Sequence, residues 1–138
     1  LRVSGGGGGG SRHVFSSNNG YNGTDGADTT VTSTNLSLSI TAKGGARGVN
    51  SNGGLQAKKT GDSGGDYVLR AQGAEGGFRN TNNFDIASHN GEPANLVVKL
   101  VLGSLGGEVL TLSLGAGGAG GSSAEDGESG YVELMLWS

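Results

Sequence analysis

The chain has 138 residues, of which 31 are glycine, one is proline and none is cysteine, and its formal net charge is −3. This length fits one domain, and the absence of cysteine excludes a disulfide-stabilised scaffold or a thiolate metal site. The single proline and the lack of a strict Gly-X-Y repeat exclude collagen, the acidic balance argues against charge-driven binding of nucleic acid, and no apolar run is long enough for a membrane-spanning helix.

Four short apolar stretches run directly into glycine-rich segments. The stretches lead with Val3, Ile40, Leu69 and Leu112, and the segments that follow them are residues 5–10, 44–48, 73–77 and 115–121. The spacing is too irregular for a solenoid with a fixed repeat length. The pattern therefore indicates one structural role used four times, although the carboxylate of Glu75 sets the run 73–77 apart from the other three.

The apolar stretches have the periodicity of β-strands. Residues 36–41 and 110–114 alternate apolar and polar side chains, which predicts half-buried strands. Residues 96–102 are almost all apolar and predict a strand covered on both faces, and residues 131–137 predict a closing strand. Because no segment has a 3.6-residue period, the sequence predicts an all-β fold.

The glycine segments are expected to pack against one another. Polyglycine can form an extended threefold helix without internal hydrogen bonds, so its N–H groups need acceptors on neighbouring segments. We expect a small β-sandwich-like domain with packed segments of this polyglycine II type and variable surface loops; flexible glycine loops are the alternative. The scaffold glycines would be Gly44, Gly45, Gly48, Gly115, Gly117, Gly118, Gly120 and Gly121.

Catalytic and metal-binding motifs are weak. Residues 61–65 match the Gly-Asp-Ser-Gly-Gly motif of serine proteases, but the chain is far too short for that fold and His13 lies in the wrong context. The motif predicts a tight turn. Asp25 and Asp28 could offer oxygen ligands to calcium, but turns stabilised by their side chains are the preferred interpretation. We therefore expect no catalytic residue, metal or cofactor.

Several intervening segments combine asparagine, serine and glycine with sparse aromatic and arginine residues. Aromatic rings provide rigid contact area and amides provide adaptable hydrogen bonds, as in binding loops, although ordinary turns have a similar composition. The candidate receptor-binding residues are Phe15, Asn18, Asn19, Tyr21, Arg47, Asn50, Asn52, Phe78, Arg79, Asn80, Asn82, Asn83, Phe84 and His89.

The order of motifs resembles that of a known family. A Gly-Thr-Asp-Gly-Ala-Asp-Thr-Thr-Val stretch at residues 23–31 leads to Ile-Thr-Ala-Lys-Gly-Gly-Ala-Arg-Gly at 40–48. A Leu-Gly-Ala-Gly-Gly-Ala-Gly-Gly run follows at 114–121, and the closing segment 126–137 contains Gly-Tyr-Val-Glu-Leu-Met-Leu-Trp. This series resembles the glycine-rich C-terminal domain of bacteriophage tail fibres and tail-tip adhesins across nearly the whole chain.

The resemblance implies a virion protein at the distal tip of a tail fibre, assembled in the host cytoplasm and acting outside the cell. It would bind a bacterial surface receptor, either lipopolysaccharide glycan or an outer-membrane protein. The expected partners are that receptor and the rest of the fibre, with a homotrimer favoured over a monomeric cap. Neither nucleic acid nor insertion into a membrane is expected.

The resemblance also assigns roles along the chain. Residues 1–138 would form a single tip domain, the C-terminal part of a longer chain. The glycine segments would be scaffold, and residues 12–30, 47–66, 77–94 and 122–130 would contact the receptor. The main alternative is a glycine-rich structural or fibre-capping protein without receptor binding, and a fragment of a polysaccharide-degrading tailspike is a further one.

Overall fold

The computed structural model describes residues 1–10, 22–48, 61–70, 78–79, 85–86, 95–101, 106–121 and 124–136. These residues contain no α-helix, and hence none that could cross a membrane. The strands are β1 (Arg2–Ser4), β2 (Thr29–Ser33), β3 (Leu38–Ala42), β4 (Tyr67–Arg70), β5 (Phe78–Arg79), β6 (Asp85–Ile86), β7 (Asn95–Val98), β8 (Thr111–Ser113) and β9 (Tyr131–Glu133).

The strands form two antiparallel sheets that pack face to face. One sheet has the order β4-β7-β1-β9 and the other the order β3-β2-β8, while β5 and β6 form a separate two-residue pair. Strand β1 contacts both β2 and β3, and β7 contacts β3, so β9 and β8 lie at the same edge of the sandwich. The predicted all-β fold is confirmed.

The hydrophobic core lies between the two sheets and is small. Val3 and Val97 contribute from one sheet, and Val31 and Ile40 from the other; all four are completely buried. Side chains alternate between the core and solvent along β2 and β3, as expected for strands with one covered face. Leu38 and Ala42 complete the buried apolar cluster.

Five glycine segments extend from the same end of this sandwich. Strands β1, β3 and β8 continue into the first (5–10), third (43–48) and fourth (115–121) segments, whereas the second (22–28) and fifth (124–130) lead back into β2 and β9. The first segment is central, and all of its residues are buried. The two sheets and the five segments thus form one continuous structure.

Hydrogen bonds between the glycine segments recur every third residue, as the threefold polyglycine II helix requires. Gly6 and Gly9 donate to carbonyls of the second segment, and Gly7 and Gly10 to carbonyls of the fifth, at N···O distances of 2.6–3.0 Å. The carbonyls of Gly6 and Gly9 accept from the third segment, and those of Gly7 and Gly10 from the fourth, at 2.7–2.9 Å. Four neighbouring segments therefore form hydrogen bonds with the central segment.

Burial follows the same period in the outer segments. Gly23 and Gly26 are buried in the second segment, as are Gly115, Gly118 and Gly121 in the fourth, and the residues between them are mostly exposed. A Cβ atom on Gly26, Gly115 or Gly118 would collide with a backbone carbonyl of a neighbouring segment. Glycine is required wherever a Cβ atom would meet a neighbouring backbone, and outward positions such as Thr24 and Ala119 accept other residues.

Three details differ from the sequence-based expectations. Within the ranges 12–30 and 122–130, which were expected to be surface loops, residues 22–28 and 124–130 belong instead to the packed bundle. The strand expected over 96–102 ends at Val98, and Leu100 beyond it is 52% exposed. All three residues of β8 are exposed because it is an edge strand, paired only with β2 among the described strands.

Candidate functional site

One end of the glycine bundle collects the points where the chain leaves and re-enters it. The N–H of Gly121 donates to the carbonyl of Gly10, and the N–H of Gly10 donates to the carbonyl of Glu125. The N–H of Gly23 donates to the carbonyl of Gly48, and these N···O distances are 2.9–3.2 Å. We call this group of residues, together with Ala124, the far end of the bundle. At about 3.1 Å per residue of polyglycine II, it lies about 18 Å beyond β1.

Three connections depart from the far end. Residues 11–21 join Gly10 to Asn22, residues 122–123 join Gly121 to Ala124, and residues 49–60 depart from Gly48 and end beside β3 at Gly61. The candidates Phe15, Asn18, Asn19, Tyr21, Asn50 and Asn52 belong to these connections and lie outside the described residues. Their points of attachment, which the structure does describe, are neighbours.

The remaining candidates other than Arg47 belong to the connection 71–94, which begins and ends nearer to the sheets. Strand β4 runs parallel to β1 because both are antiparallel to β7, and its last residue, Arg70, pairs with Asn95. Residues 71–94 therefore start and finish beside the beginning of the first glycine segment. Within them, Arg79 pairs with Asp85 along the backbone and Phe78 with Ile86. Asn80, Asn82, Asn83, Phe84, His89 and the glycine-rich residues 73–77 lie outside the described part of the chain.

Arg47 is the candidate whose surroundings are described most fully. It precedes Gly48, its side chain is exposed, and its backbone N–H donates to Oδ1 of Asp25 at 2.9 Å. This hydrogen bond fixes the backbone at Arg47 at the edge of the far end. The guanidinium is therefore available at a rigid point next to the 49–60 connection.

Two carboxylates bind the backbone of the third segment. Asp28 accepts from the N–H of Gly44 at 3.0 Å and from Nζ of Lys43 at 2.6 Å, and Asp25 accepts from Arg47 three residues further along. The hydrogen bond and the charge of Asp28 raise the pKa of Lys43 above its usual value. Both aspartates thus link segments, and no group of three acidic or histidine side chains within the described ranges could hold a metal ion.

Side chains also satisfy backbone groups of the fourth segment. The hydroxyls of Thr24 and Thr29 accept from the N–H groups of Ala119 and Gly115, at 2.7 and 2.9 Å, and Asp126 accepts from Gly120 at 2.7 Å. Sequence reasoning missed these roles. The sequence does contain a signal for these roles, because polar residues such as Asp25 and Asp28 recur three residues apart beside glycines. This spacing identifies hydrogen-bond acceptors only when the neighbouring segment is known.

The protease-like motif forms a turn against β3. Ser63 and Thr41 exchange two backbone hydrogen bonds of 3.0 and 3.1 Å, and Oδ1 of Asp62 accepts from the N–H of Lys43 at 2.9 Å. Gly64 has a φ of 79°, a conformation that favours glycine. These contacts return the chain from the 49–60 connection to the sheets; His13 and His89 lie outside the described residues.

The expected scaffold glycines all lie in the bundle. Gly44, Gly45, Gly48, Gly115, Gly118 and Gly121 are buried, and Gly117 and Gly120 are half-buried. A Cβ atom on Gly117 or Gly120 would still collide with a carbonyl of the fifth segment, that of Gly127 or Ala124 respectively.

Comparisons with protein-family models, curated proteins and solved structures find no match to this chain.

Proposed function

We propose that this chain is the receptor-binding tip domain of a bacteriophage tail fibre, and that it attaches without catalysis to glycan or protein on a bacterial surface. The observation that carries the proposal is the gathering of chain connections at the far end of a rigid bundle. Binding residues are commonly placed on loops that a rigid scaffold positions. Here the scaffold also places the far end, from which those loops depart, about 18 Å beyond β1.

The composition of the connections supports binding rather than simple closure of the bundle. Residues 122–123 connect two segments with only two serines, which is enough to reverse the chain. The connection 11–21 joins adjacent points with eleven residues that include Phe15 and Tyr21. A longer connection than closure needs, with aromatic and amide side chains, has the chemistry of a contact loop.

The competing proposal is a structural or fibre-capping protein without a receptor. Both proposals use the same bundle, so stability measurements do not separate them. They differ in what substitutions in the far-end connections do to attachment, because a capping protein has no ligand there.

The test measures binding of labelled protein to intact bacteria of a broad panel, and to cells stripped of surface glycan or treated with protease. We expect saturable binding that one treatment removes and that the double variant Phe15→Ala, Tyr21→Ala reduces at least tenfold. Thr34→Ala, in the turn at the opposite end of the molecule, is the matched control and should bind normally. If the folded protein bound no strain, the proposal would be contradicted. Unchanged binding by the double variant Phe15→Ala, Tyr21→Ala would contradict it as well.

A further inference from the structure

The exposed apolar residues of this molecule are concentrated at one edge of the sandwich. Nine large apolar side chains are exposed in the described part of the chain, and seven of them belong to residues 109–114 and 131–136. We call these seven the edge patch: Val109, Leu112, Leu114, Tyr131, Leu134, Met135 and Leu136, which are 40–71% exposed. The other two, Val68 and Leu100, lie elsewhere.

The two segments of the edge patch are neighbours in space. Gly130 donates to the carbonyl of Gly115 at 2.8 Å, so β8 ends where β9 begins. Both strands then lie at the same edge, each paired on one side only within the described residues. Leu110 and Val132 pack against the core from these segments, but the apolar positions beyond them extend into solvent.

Strand pairing explains why Leu112 is exposed although it faces the core side. Leu112 lies opposite Val31, which is completely buried, and Val31 lies opposite Ile40, also buried. Opposed residues of antiparallel strands share a face, so one apolar row begins in the core and ends at Leu112, which is 49% exposed. The core is open at this edge.

We propose that the edge patch is a self-association surface, covered by a second copy of this chain. Contiguous exposed apolar patches larger than a few hundred Å² mark interaction sites, and a standard interface buries roughly 800 Å² on each partner. Seven large apolar side chains that are each 40–71% exposed supply a substantial part of such a surface. An edge strand that has a partner on one side only, as β8 does within the described residues, also offers N–H and C=O groups to another strand.

The edge can face a second copy of itself because it brings no like charges together. Two molecules that each carry a net charge of −3 repel each other overall, so a stable contact between copies has to exclude unpaired charged side chains. Residues 109–114 contain no charged side chain, and the only charge within 131–136, Glu133, pairs with Arg2 at 3.0 Å. A twofold axis through β8 would place Leu112 of each copy near the other, as an isologous interface requires.

The test is the oligomeric state, measured by sedimentation equilibrium over a wide range of concentration without bacteria or receptor. We expect a mass of more than one chain that falls on dilution. The double variant Val109→Lys, Leu136→Lys should raise the midpoint concentration for dissociation at least tenfold, and it changes two side chains that are each 71% exposed. Leu100→Lys, which introduces the same charge at an exposed leucine outside the edge patch, should leave the midpoint unchanged.

A single-chain mass at every concentration would overturn the proposal and indicate that a different protein covers the edge. An assembly that the double variant leaves intact would also overturn it, because the contact would then lie elsewhere. Circular dichroism confirms that each variant is folded. Since the measurement contains no receptor, its failure and the failure of the proposed function are distinguishable.

Discussion

Gly118 faces the second glycine segment, and a Cβ atom there would collide with the carbonyl of Thr24. The substitution Gly118→Val should therefore separate two segments that are also joined by backbone hydrogen bonds, which Thr24 and Ala27 donate to the carbonyls of Ala119 and Ala116. We expect it to lower the free energy of unfolding by about 3 kcal/mol or more, the range of strongly overpacked sites. Denaturant unfolding followed by circular dichroism measures this loss.

The adjacent Ala119→Val is the control for this prediction, because Ala119 is exposed on the same segment. It adds the same β-branched side chain at an outward position and should change stability by less than about 0.5 kcal/mol. Equal effects at the two positions would show that β-branching itself, rather than close packing of the backbones, determines stability.

Sequence reasoning identified individual elements better than their partners. Ile40 and Val97 lie in regions whose alternation or apolar run predicts strands, and the runs 5–10, 44–48 and 115–121 predict packed glycine. No strand was predicted around Val31, which lies in β2. The second and fifth segments were missed because each contains glycine only at inward positions. Whether Gly23 or Gly127 faces a neighbour depends on contacts between distant segments, which local propensity does not encode.

One carboxylate links the residue before β4 to the residues after β7. Asp66 accepts from Nζ of Lys99 at 2.9 Å and from the N–H of Leu100 at 2.7 Å. These hydrogen bonds hold the pKa of Asp66 below its usual value, so they stabilise the fold above about pH 4, the unfolded value, and the contribution is lost as the pH falls through the folded pKa. We expect Asp66→Asn to lower the Tm at pH 7, and this difference from the unmodified protein to shrink on acidification.

The control for the pH prediction is Glu133→Gln. Glu133 forms an ion pair with Arg2 in which both side chains are 45% exposed, and exposed pairs contribute little to stability. The Tm of Glu133→Gln should stay close to that of the unmodified protein at pH 7 and at acidic pH. A Tm difference for Asp66→Asn that does not depend on pH would mean that the carboxylate charge is not what stabilises this connection.

At the scale of the whole molecule, the two proposals assign different roles to opposite ends. The connections proposed to contact a receptor depart from the far end, and the edge patch lies along the sheets at the other end of the glycine bundle. Nothing in this arrangement requires association to change the contact loops themselves. Association should instead act on binding through the number of linked sites, since linked sites raise the effective concentration of one another.

This separation predicts how a variant that no longer self-associates binds to cells. Val109→Lys, Leu136→Lys should retain the intrinsic affinity of one site for an immobilised receptor fragment at low density, but should lose at least about tenfold in apparent affinity for intact bacteria, where several sites engage at once. Phe15→Ala, Tyr21→Ala should weaken binding in both formats, because it alters the site itself. Surface plasmon resonance at low receptor density and titration of whole cells measure the two quantities. If the lysine variant lost affinity equally in both formats, the edge patch would belong to the receptor site, and the two ends of the molecule would not act independently.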